Sequence, residues 1–381
     1  MNLFLKTFIK KELLMAALAI FLIAPVKTFS QDKSKDTPNV QTKKPMKIEP
    51  NGPKPDWAPG IDPQMLAVVE QLQAFENPKF TNATAFQFRN GKTPTEAVMA
   101  LLMKTGIKPS EAKVDISHKV LPVGPDTGVL VRIYKPVSKN PNEALPVIVY
   151  YHGGGWVIAD LDTYEPSAKA LAALTNSIVV SVAYRQAPEN KFPAAHEDSF
   201  AAYKWVVENT AEIGGDPNRI ATAGESAGGN LAVAVPLMAK ERGVKLPVHI
   251  LSVYPIADGD VESPSYEKYA NAVPLNKPFM AWFFDQYLQD WKNSEEPLIN
   301  LIDADLSGLP ATTIINAEID PLEHEGGVLA EKLKAAGVDV KRELYKGVTH
   351  EFFGMAAVLE QAVKAQELAS ERLIQSFKSK K

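Results

Sequence analysis

Short, unbroken apolar runs alternate with amphipathic stretches along most of this chain of 381 residues. A strand that is buried on both faces loses its in–out alternation, so each run is interpreted as a buried strand. Regular alternation of strands and helices predicts an α/β fold with a mostly parallel central sheet flanked by helices. The runs predicted as strands cover residues 146–151, 178–183, 219–223, 248–254, 312–317 and 338–345.

A different pattern precedes these runs. Residues 114–120 and 129–134 alternate between apolar and polar side chains, as half-buried strands do. Gly124, Pro125 and Gly128 lie between them and indicate a turn. We therefore expect an antiparallel hairpin that leads into the parallel sheet.

Helical segments are predicted outside this core. Asp62 is a candidate N-cap, followed by proline and by apolar residues at helical spacing through Phe75. A second short helix is expected from Thr93 onward. The aromatic-rich stretch 263–290 interrupts the strand–helix alternation. Most of its side chains are expected in the core, and an insertion there could also cover a pocket.

The N-terminal segment, residues 1–30, is typical of a secretory signal peptide. Lysines precede the apolar run 13–26, and small residues permit cleavage after Ser30. The alternative is an uncleaved membrane anchor, but this run is shorter than the roughly 20 residues that span a bilayer. Residues 31–61 are polar and rich in proline, which predicts a disordered tether before the folded domain 62–381. We expect an exported protein, periplasmic or secreted, without a stable membrane anchor.

Composition narrows the possible chemistry. The formal net charge is -4 and no long basic run occurs, which argues against a nucleic-acid partner. The chain has no cysteine, so disulfides, thiolate metal sites and cysteine nucleophiles are excluded. Any nucleophile must come from another residue type.

A G-x-S-x-G motif, residues 224–228, centres on Ser226. It follows the predicted strand 219–223 and precedes a predicted helix that starts near Asn230. In that context the motif holds a nucleophilic serine on a tight turn, with the helix N-terminus directed toward developing negative charge. The alternative is a glycine-rich turn with a structural serine.

A serine nucleophile needs a general base, and His350 is the preferred candidate. It follows a predicted strand and the loop 346–349, where the base of such a serine is expected. His324 is the competitor, since it lies four residues after Asp320. The remaining histidines of the predicted strands and helix starts are interpreted as structural: His118, His196 and His249.

The base in turn needs an acid to orient it. Asp320 follows the predicted strand 312–317 and precedes a proline, which favours an extended backbone at the strand end. Glu318 is the alternative acid. The chain order Ser226, Asp320, His350 is that of α/β-hydrolases and differs from the orders in chymotrypsin-like and subtilisin-like proteases.

A glycine-rich segment, HGGGW at residues 152–156, follows the predicted strand 146–151. Successive glycines let a backbone approach a ligand closely and present its N–H groups. We assign Gly153, Gly154 and Ala227 as the donors of an oxyanion hole. His152 is interpreted as positioning this loop.

Together these motifs resemble the hormone-sensitive-lipase-like branch of the α/β-hydrolases, the bacterial esterases with an HGGG loop. The resemblance extends from about residue 62 to the C-terminus. It includes four further segments: YRQAPE at 184–189, FPAA at 192–195, DPL at 320–322 and AAGV at 335–338.

This resemblance implies an α/β-hydrolase fold with a helical cap from about 62–112 and 258–300. It implies a serine carboxylesterase that hydrolyses short- to medium-chain esters through an acyl-enzyme, with a small-molecule ester as substrate and no cofactor or metal. The oligomeric state is left open, with a homodimer as the candidate assembly. The alternatives are a non-catalytic ligand-binding protein on this fold, a lipase for longer chains, or a peptidase.

Three residues depart from the common pattern of the branch. Glu225 replaces an aspartate found in many relatives, and His324 replaces an acidic residue. Glu351 follows His350 where glycine is usual. A carboxylate beside His350 is expected to raise the pKa of the imidazole and to shift the active pH range upward.

Overall fold

The computed structural model describes residues 48–78, 83–109, 112–123, 128–137 and 143–378. All of them belong to the unit that spans residues 45–381. The predicted signal peptide, 1–30, and the first part of the predicted tether, 31–47, lie outside the described residues. No helix within the described ranges is long and apolar enough to cross a bilayer.

The strands form one sheet, and every predicted strand contributes to it. In chain order from β1 to β8 they are Val114–Pro122, Gly128–Pro136, Leu145–Tyr151, Ile178–Ala183, Gly215–Glu225, His249–Val253, Thr312–Ile319 and Val340–Thr349. Their spatial order is β1-β2-β4-β3-β5-β6-β7-β8. β2 is antiparallel to both β1 and β4, and all other neighbours are parallel. The antiparallel pairing of β1 with β2 and the mostly parallel sheet are confirmed, whereas the predicted turn residues Gly124 and Pro125 lie outside the described residues.

Two helices of the described residues begin at the capping residues that the sequence predicts, Asp62 and Thr93. In chain order from α1 to α10 the helices are Pro63–Gln73, Ala85–Arg89, Pro94–Thr105, Glu165–Thr175, Ala194–Asn209, Ala227–Glu241, Pro264–Lys268, Lys277–Tyr287, Glu323–Ala335 and Glu360–Lys378. The Asp62 carboxylate accepts a hydrogen bond from the Gln64 N–H at 2.8 Å. Thr93 and Glu96 form a capping box at the start of α3. These contacts satisfy N–H groups that have no acceptor inside the helix.

Helices cover both faces of the sheet, as the unbroken apolar runs predict. On β3, Val147, Val149 and Tyr151 pack into one apolar cluster with α5, α6, α8 and α9. Ile148 and Tyr150 pack into a second cluster with α1, α3, α4 and α10. Since alternate residues of a strand point to opposite faces, a strand that is apolar at every position needs helices on both sides.

The tether prediction is wrong for residues 48–61. Ile48, Ala58 and Ile61 are buried and belong to the same apolar cluster as α1. On α1, Glu70 accepts hydrogen bonds from two backbone N–H groups of this segment. The polar composition of the whole segment concealed these three apolar side chains, whose burial offsets the entropy lost on ordering.

Candidate active site

Ser226 occupies the turn between β5 and α6. Its backbone has φ 58° and ψ −119°, a strained conformation for a residue with a side chain. The flanking glycines make this turn possible. A Cβ atom at Gly224 would lie 2.1 Å from the carbonyl oxygen of Gly228, and one at Gly228 would lie 2.0 Å from the carbonyl oxygen of Tyr151. The strand–turn–helix geometry expected for the motif is therefore present.

Three side chains that follow three strands of the sheet meet in one hydrogen-bonded chain. Ser226, Asp320 and His350 each come directly after the C-terminal residue of their strand, respectively β5, β7 and β8. Oγ of Ser226 lies 2.9 Å from Nε2 of His350, and Nδ1 of His350 lies 2.7 Å from Oδ2 of Asp320. The Leu322 N–H donates to Oδ1 of Asp320 at 2.9 Å, which holds the carboxylate in this orientation.

The environment of His350 favours its protonated form. Burial acting alone would lower the pKa of the imidazole. The charge and hydrogen bond of Asp320, together with the carboxylates of Glu351 and Glu225, outweigh burial and raise the pKa of His350 above its ordinary value. His350 is thus a stronger base toward the Ser226 hydroxyl than an isolated histidine.

The alternative acid, Glu318, and the alternative base, His324, take no part in the hydrogen bonds that link Ser226, His350 and Asp320. Glu318 forms an ion pair with Lys346 at 3.2 Å and accepts a hydrogen bond from the Gly347 N–H at 2.8 Å. His324 lies on α9, and its backbone N–H donates to the hydroxyl of Ser265 at 3.2 Å. Both residues therefore have contacts away from Ser226.

The histidines interpreted as structural have other partners. Burial lowers the pKa of His196 to about 4 and the pKa of His249 to about 3, so both are neutral near pH ~7. On β1, His118 accepts a hydrogen bond from Arg132 at 2.9 Å. None of these three is hydrogen-bonded to Ser226.

Of the three predicted oxyanion donors, Ala227 directly follows Ser226, whereas Gly153 and Gly154 belong to the loop after β3. Among the described residues, the N–H groups of Gly153 and Gly154 have no hydrogen-bond acceptor. Ala227 is the first residue of α6, where an N–H has no acceptor within the helix. Gly154 and Ser226 line the same cleft. These groups are thus available to a negatively charged oxygen.

Space as well as backbone conformation requires glycine in the loop after β3. Gly154 and Gly155 have φ values of 94° and 60°, which residues with side chains rarely adopt. A Cβ atom at Gly154 would lie 2.2 Å from the carbonyl oxygen of Ile158. One at Gly155 would lie 2.2 Å from the ring of Phe283. The aromatic ring thus packs directly onto the loop.

His152 holds this loop in place. Its ring stacks on Tyr184 with 4.2 Å between the ring centroids, and the Tyr184 hydroxyl donates to the carbonyl oxygen of His152 at 2.7 Å. Burial lowers the pKa of His152 to about 4, against an opposing hydrogen bond with the Gly153 carbonyl. A neutral, stacked imidazole agrees with the interpretation of His152 as a loop-positioning residue.

Two carboxylates and three tyrosines pack beside the hydrogen-bonded chain. The hydroxyls of Tyr150 and Tyr254 both donate to Glu225. The Tyr164 hydroxyl donates to Oε1 of Glu351 at 2.5 Å. Burial and the nearby charge of Glu351 raise the pKa of Glu225 to about 7. Burial also raises the pKa of Glu351, against opposing effects of the adjacent imidazole and of Tyr164.

The sequence singled out both glutamates but missed these tyrosines. Tyr150 and Tyr254 lie in apolar runs, where nothing distinguishes them from core aromatics. The single available signal was that a buried tyrosine hydroxyl needs a hydrogen-bond partner. Which partner it meets depends on elements that are distant in the chain.

Replacing Glu351 by glutamine is expected to move the acidic limb of the kcat/KM profile to lower pH. The base must be neutral to accept a proton, and the acidic limb follows its pKa in the free enzyme. Removing the Glu351 charge leaves Asp320 as the main group that raises the pKa of His350, so this pKa falls. The profile is to be measured with p-nitrophenyl butyrate.

The matched control for this profile is Asp162→Asn. The Asp162 carboxylate lines the same cleft but is paired with Arg132 at 2.6 Å. Its removal should leave the acidic limb in place. An unchanged limb in the Glu351→Gln variant would contradict an electrostatic effect of Glu351 on His350.

A cleft of about 680 Å³ contains Ser226 and His350 in its lining. Apolar side chains from both segments that were assigned to the cap contribute to its walls: Leu72, Phe75, Phe88, Leu275, Phe279 and Phe283. Phe279 stacks on Phe283 with 4.4 Å between ring centroids. The cleft therefore offers an apolar surface next to a nucleophile. Within the described ranges, no group of three or more histidine, aspartate and glutamate side chains is placed to hold a metal ion.

Comparison with known proteins identifies the family. Residues 148–354 match a family model described as the alpha/beta hydrolase fold. Carboxylesterase NlhH of Mycobacterium tuberculosis is 36% identical over 83% of this chain and 95% of that protein. The ethyl acetate hydrolase of Pseudomonas putida is 32% identical over 64% of this chain and 78% of that protein.

Solved structures agree with the sequence relatives. The hyperthermophilic esterase of the archaeon Pyrobaculum calidifontis superposes with a TM-score of 0.74 and 34% identity, over 83% of this chain and 98% of that one. The chain therefore belongs to the hormone-sensitive-lipase-like branch of the α/β-hydrolases and is a carboxylic ester hydrolase.

Proposed function

We propose that this enzyme is a serine carboxylesterase that hydrolyses short- to medium-chain carboxylic esters through an acyl-enzyme intermediate. The main support is the pair of contacts, 2.9 Å and 2.7 Å, that link Ser226 to His350 and His350 to Asp320. A serine hydroxyl becomes an effective nucleophile when an adjacent, oriented base removes its proton. The apolar cleft beside it supplies room for the acyl chain.

In the acylation half-reaction, Nε2 of His350 takes the Ser226 proton as Oγ attacks the ester carbonyl carbon. Asp320 accepts the Nδ1–H hydrogen bond and stabilises the imidazolium that forms. Nε2–H then donates its proton to the leaving alcohol oxygen as the carbon–oxygen bond breaks. The acyl group remains on Ser226.

Negative charge develops on the carbonyl oxygen during this attack. The N–H groups of Gly153, Gly154 and Ala227 are the proposed donors to it, and each such donor typically contributes roughly 3 kcal/mol of transition-state stabilisation. In the deacylation half-reaction, water replaces the alcohol. His350 removes a proton from this water, the carboxylic acid leaves, and Ser226 regains its proton.

Acyl-chain preference is expected to peak at intermediate length. A cleft of about 680 Å³ is of the size that encloses a small ligand. For a graded series of p-nitrophenyl esters, kcat/KM should be greatest for acyl chains of about four to eight carbons, because the family resemblance implies short- to medium-chain substrates and the cleft is of small-ligand size. A maximum at sixteen carbons would contradict this assignment and favour a long-chain lipase.

A further inference from the structure

The Glu351 side chain lines the cleft and lies next to the general base, His350. Oε1 accepts the Tyr164 hydrogen bond at 2.5 Å and lies 3.9 Å from Nε2 of His350. No described residue donates a hydrogen bond to Oε2. The side chain is 17% exposed and lines the cleft with Ser226. One oxygen is thus fixed by the protein while the other is available.

The backbone conformation at residue 351 favours glycine over a residue with a side chain. Glu351 has φ 71°, in the left-handed region where a side chain is unfavourable and glycine is not. The carboxylate is also largely removed from water with a single hydrogen-bond donor, which leaves it undersatisfied. Both observations indicate that a bound ligand would donate the missing hydrogen bond to the Glu351 carboxylate.

The reaction geometry defines which part of an ester would meet this acceptor. Nε2 of His350 delivers the proton to the leaving oxygen, so the alcohol oxygen must come within hydrogen-bond distance of Nε2. The carbonyl oxygen is held elsewhere, by the loop of Gly153 and Gly154. Oε1 of Glu351 lies 3.9 Å from Nε2, so the Glu351 carboxylate borders the alcohol portion of the substrate.

We propose that Glu351 is a specificity-determining residue that selects esters whose alcohol portion carries a hydroxyl or a cationic ammonium group. On the proposed serine esterase, this names the substrate class as esters of apolar acids with diols, polyols or amino alcohols. Oε2 of Glu351 accepts the hydroxyl hydrogen bond or faces the cation. The aromatic pair Phe279 and Phe283 offers the apolar surface for the acid.

Two pairs of butyrate esters isolate this interaction. The first pair is 2-hydroxyethyl butyrate and its near-isostere n-propyl butyrate. The second is butyrylcholine and its neutral isostere 3,3-dimethylbutyl butyrate. All four esters produce the same butyryl-enzyme, so differences in kcat/KM report acylation, the half-reaction in which the alcohol is present. Comparing the ratio within each pair between wild type and variants cancels the intrinsic reactivity of the alcohols.

The variants are Glu351→Gln and Glu351→Leu, assayed for all four esters at one pH of about 8, well above the ordinary pKa of a glutamate. Loss of the charge in Glu351→Gln should reduce the cationic-to-neutral ratio about tenfold or more, the usual scale for a hydrogen bond or contact to a charged group. In Glu351→Leu the hydroxyl-to-methyl ratio should also fall about tenfold. Glutamine retains a carbonyl acceptor, so the hydroxyl-to-methyl ratio should fall less in Glu351→Gln than in Glu351→Leu.

Asp162→Asn is the matched control, because Asp162 is a cleft carboxylate already paired with Arg132. It should leave both ratios within about twofold of wild type, as expected for an exposed ion pair. Active enzyme is counted in every sample by fluorophosphonate labelling. Ratios that stay within about twofold in both Glu351 variants would overturn the specificity role. Absence of p-nitrophenyl butyrate hydrolysis by the wild type would instead overturn the proposed function, so the two failures are distinguishable.

Discussion

Replacing Ser226 by alanine is expected to reduce kcat for p-nitrophenyl butyrate by about 10⁵- to 10⁶-fold, the loss typical of removing a serine nucleophile from such a triad. No other hydroxyl takes its place, because Ser226 alone is hydrogen-bonded to Nε2 of His350 in the described structure. Alanine has the same backbone restrictions as serine at φ 58°, so the fold should persist. The midpoint of thermal unfolding should change by no more than about 2 °C.

Covalent labelling distinguishes catalysis from ligand binding alone. A fluorophosphonate probe should label the wild type and fail to label the Ser226→Ala variant, since it requires an activated serine. A folded wild type that neither reacts with the probe nor hydrolyses esters would be a non-catalytic binding protein on this fold. Retained esterase turnover in the alanine variant would place the nucleophile elsewhere.

Asp320→Asn has the second largest expected effect, a decrease in kcat of about 10⁴-fold. Asparagine is nearly the same size, but its amide group can donate to Nδ1 of His350 and so favours the tautomer that carries its proton on Nε2. That proton prevents Nε2 from accepting the proton of Ser226. The substitution of Asp320 by asparagine also removes the negative charge that stabilises the imidazolium. The measurement is a steady-state rate with p-nitrophenyl butyrate, together with a thermal unfolding curve to verify folding.

Glu318→Gln is the matched control for Asp320→Asn. Glu318 lies two residues earlier in the chain and was the alternative acid, yet it contacts Lys346 and the Gly347 N–H. Its replacement should change kcat by less than about threefold, the range of a partly exposed ion pair. A loss comparable to that of Asp320→Asn would mean that Glu318 orients the base.

Local periodicity was sufficient to locate the strands but not their ends. β5 begins at Gly215, before the predicted start at 219, since Gly215 pairs with Leu145. β8 continues through Thr349, where the sequence predicted a loop from 346 onward. Strand ends depend on the length of the neighbouring strand, which a residue pattern within one segment does not contain.

Burial in the N-terminal segment was likewise a tertiary property. Composition assigned residues 48–61 to a tether, but Ile48, Ala58 and Ile61 find apolar surface beside α1. Three apolar side chains in a polar segment have no periodicity. Their burial depends on a surface that forms only when the rest of the domain is folded.

For the site, the sequence alone determined the residue types, their chain order and the element that each would follow. Those inferences depend on local patterns: glycines around Ser226, an aspartate after a strand, and a histidine after the last strand. Only the tertiary structure decided that the ends of β5, β7 and β8 meet within hydrogen-bond distance. It alone decided that Tyr164 donates a hydrogen bond to one oxygen of Glu351 and that Glu351 lines the same cleft as Ser226. The physical reason is that strand order and side-chain contacts arise from pairing between distant segments, whereas helix and strand periods are properties of each segment by itself.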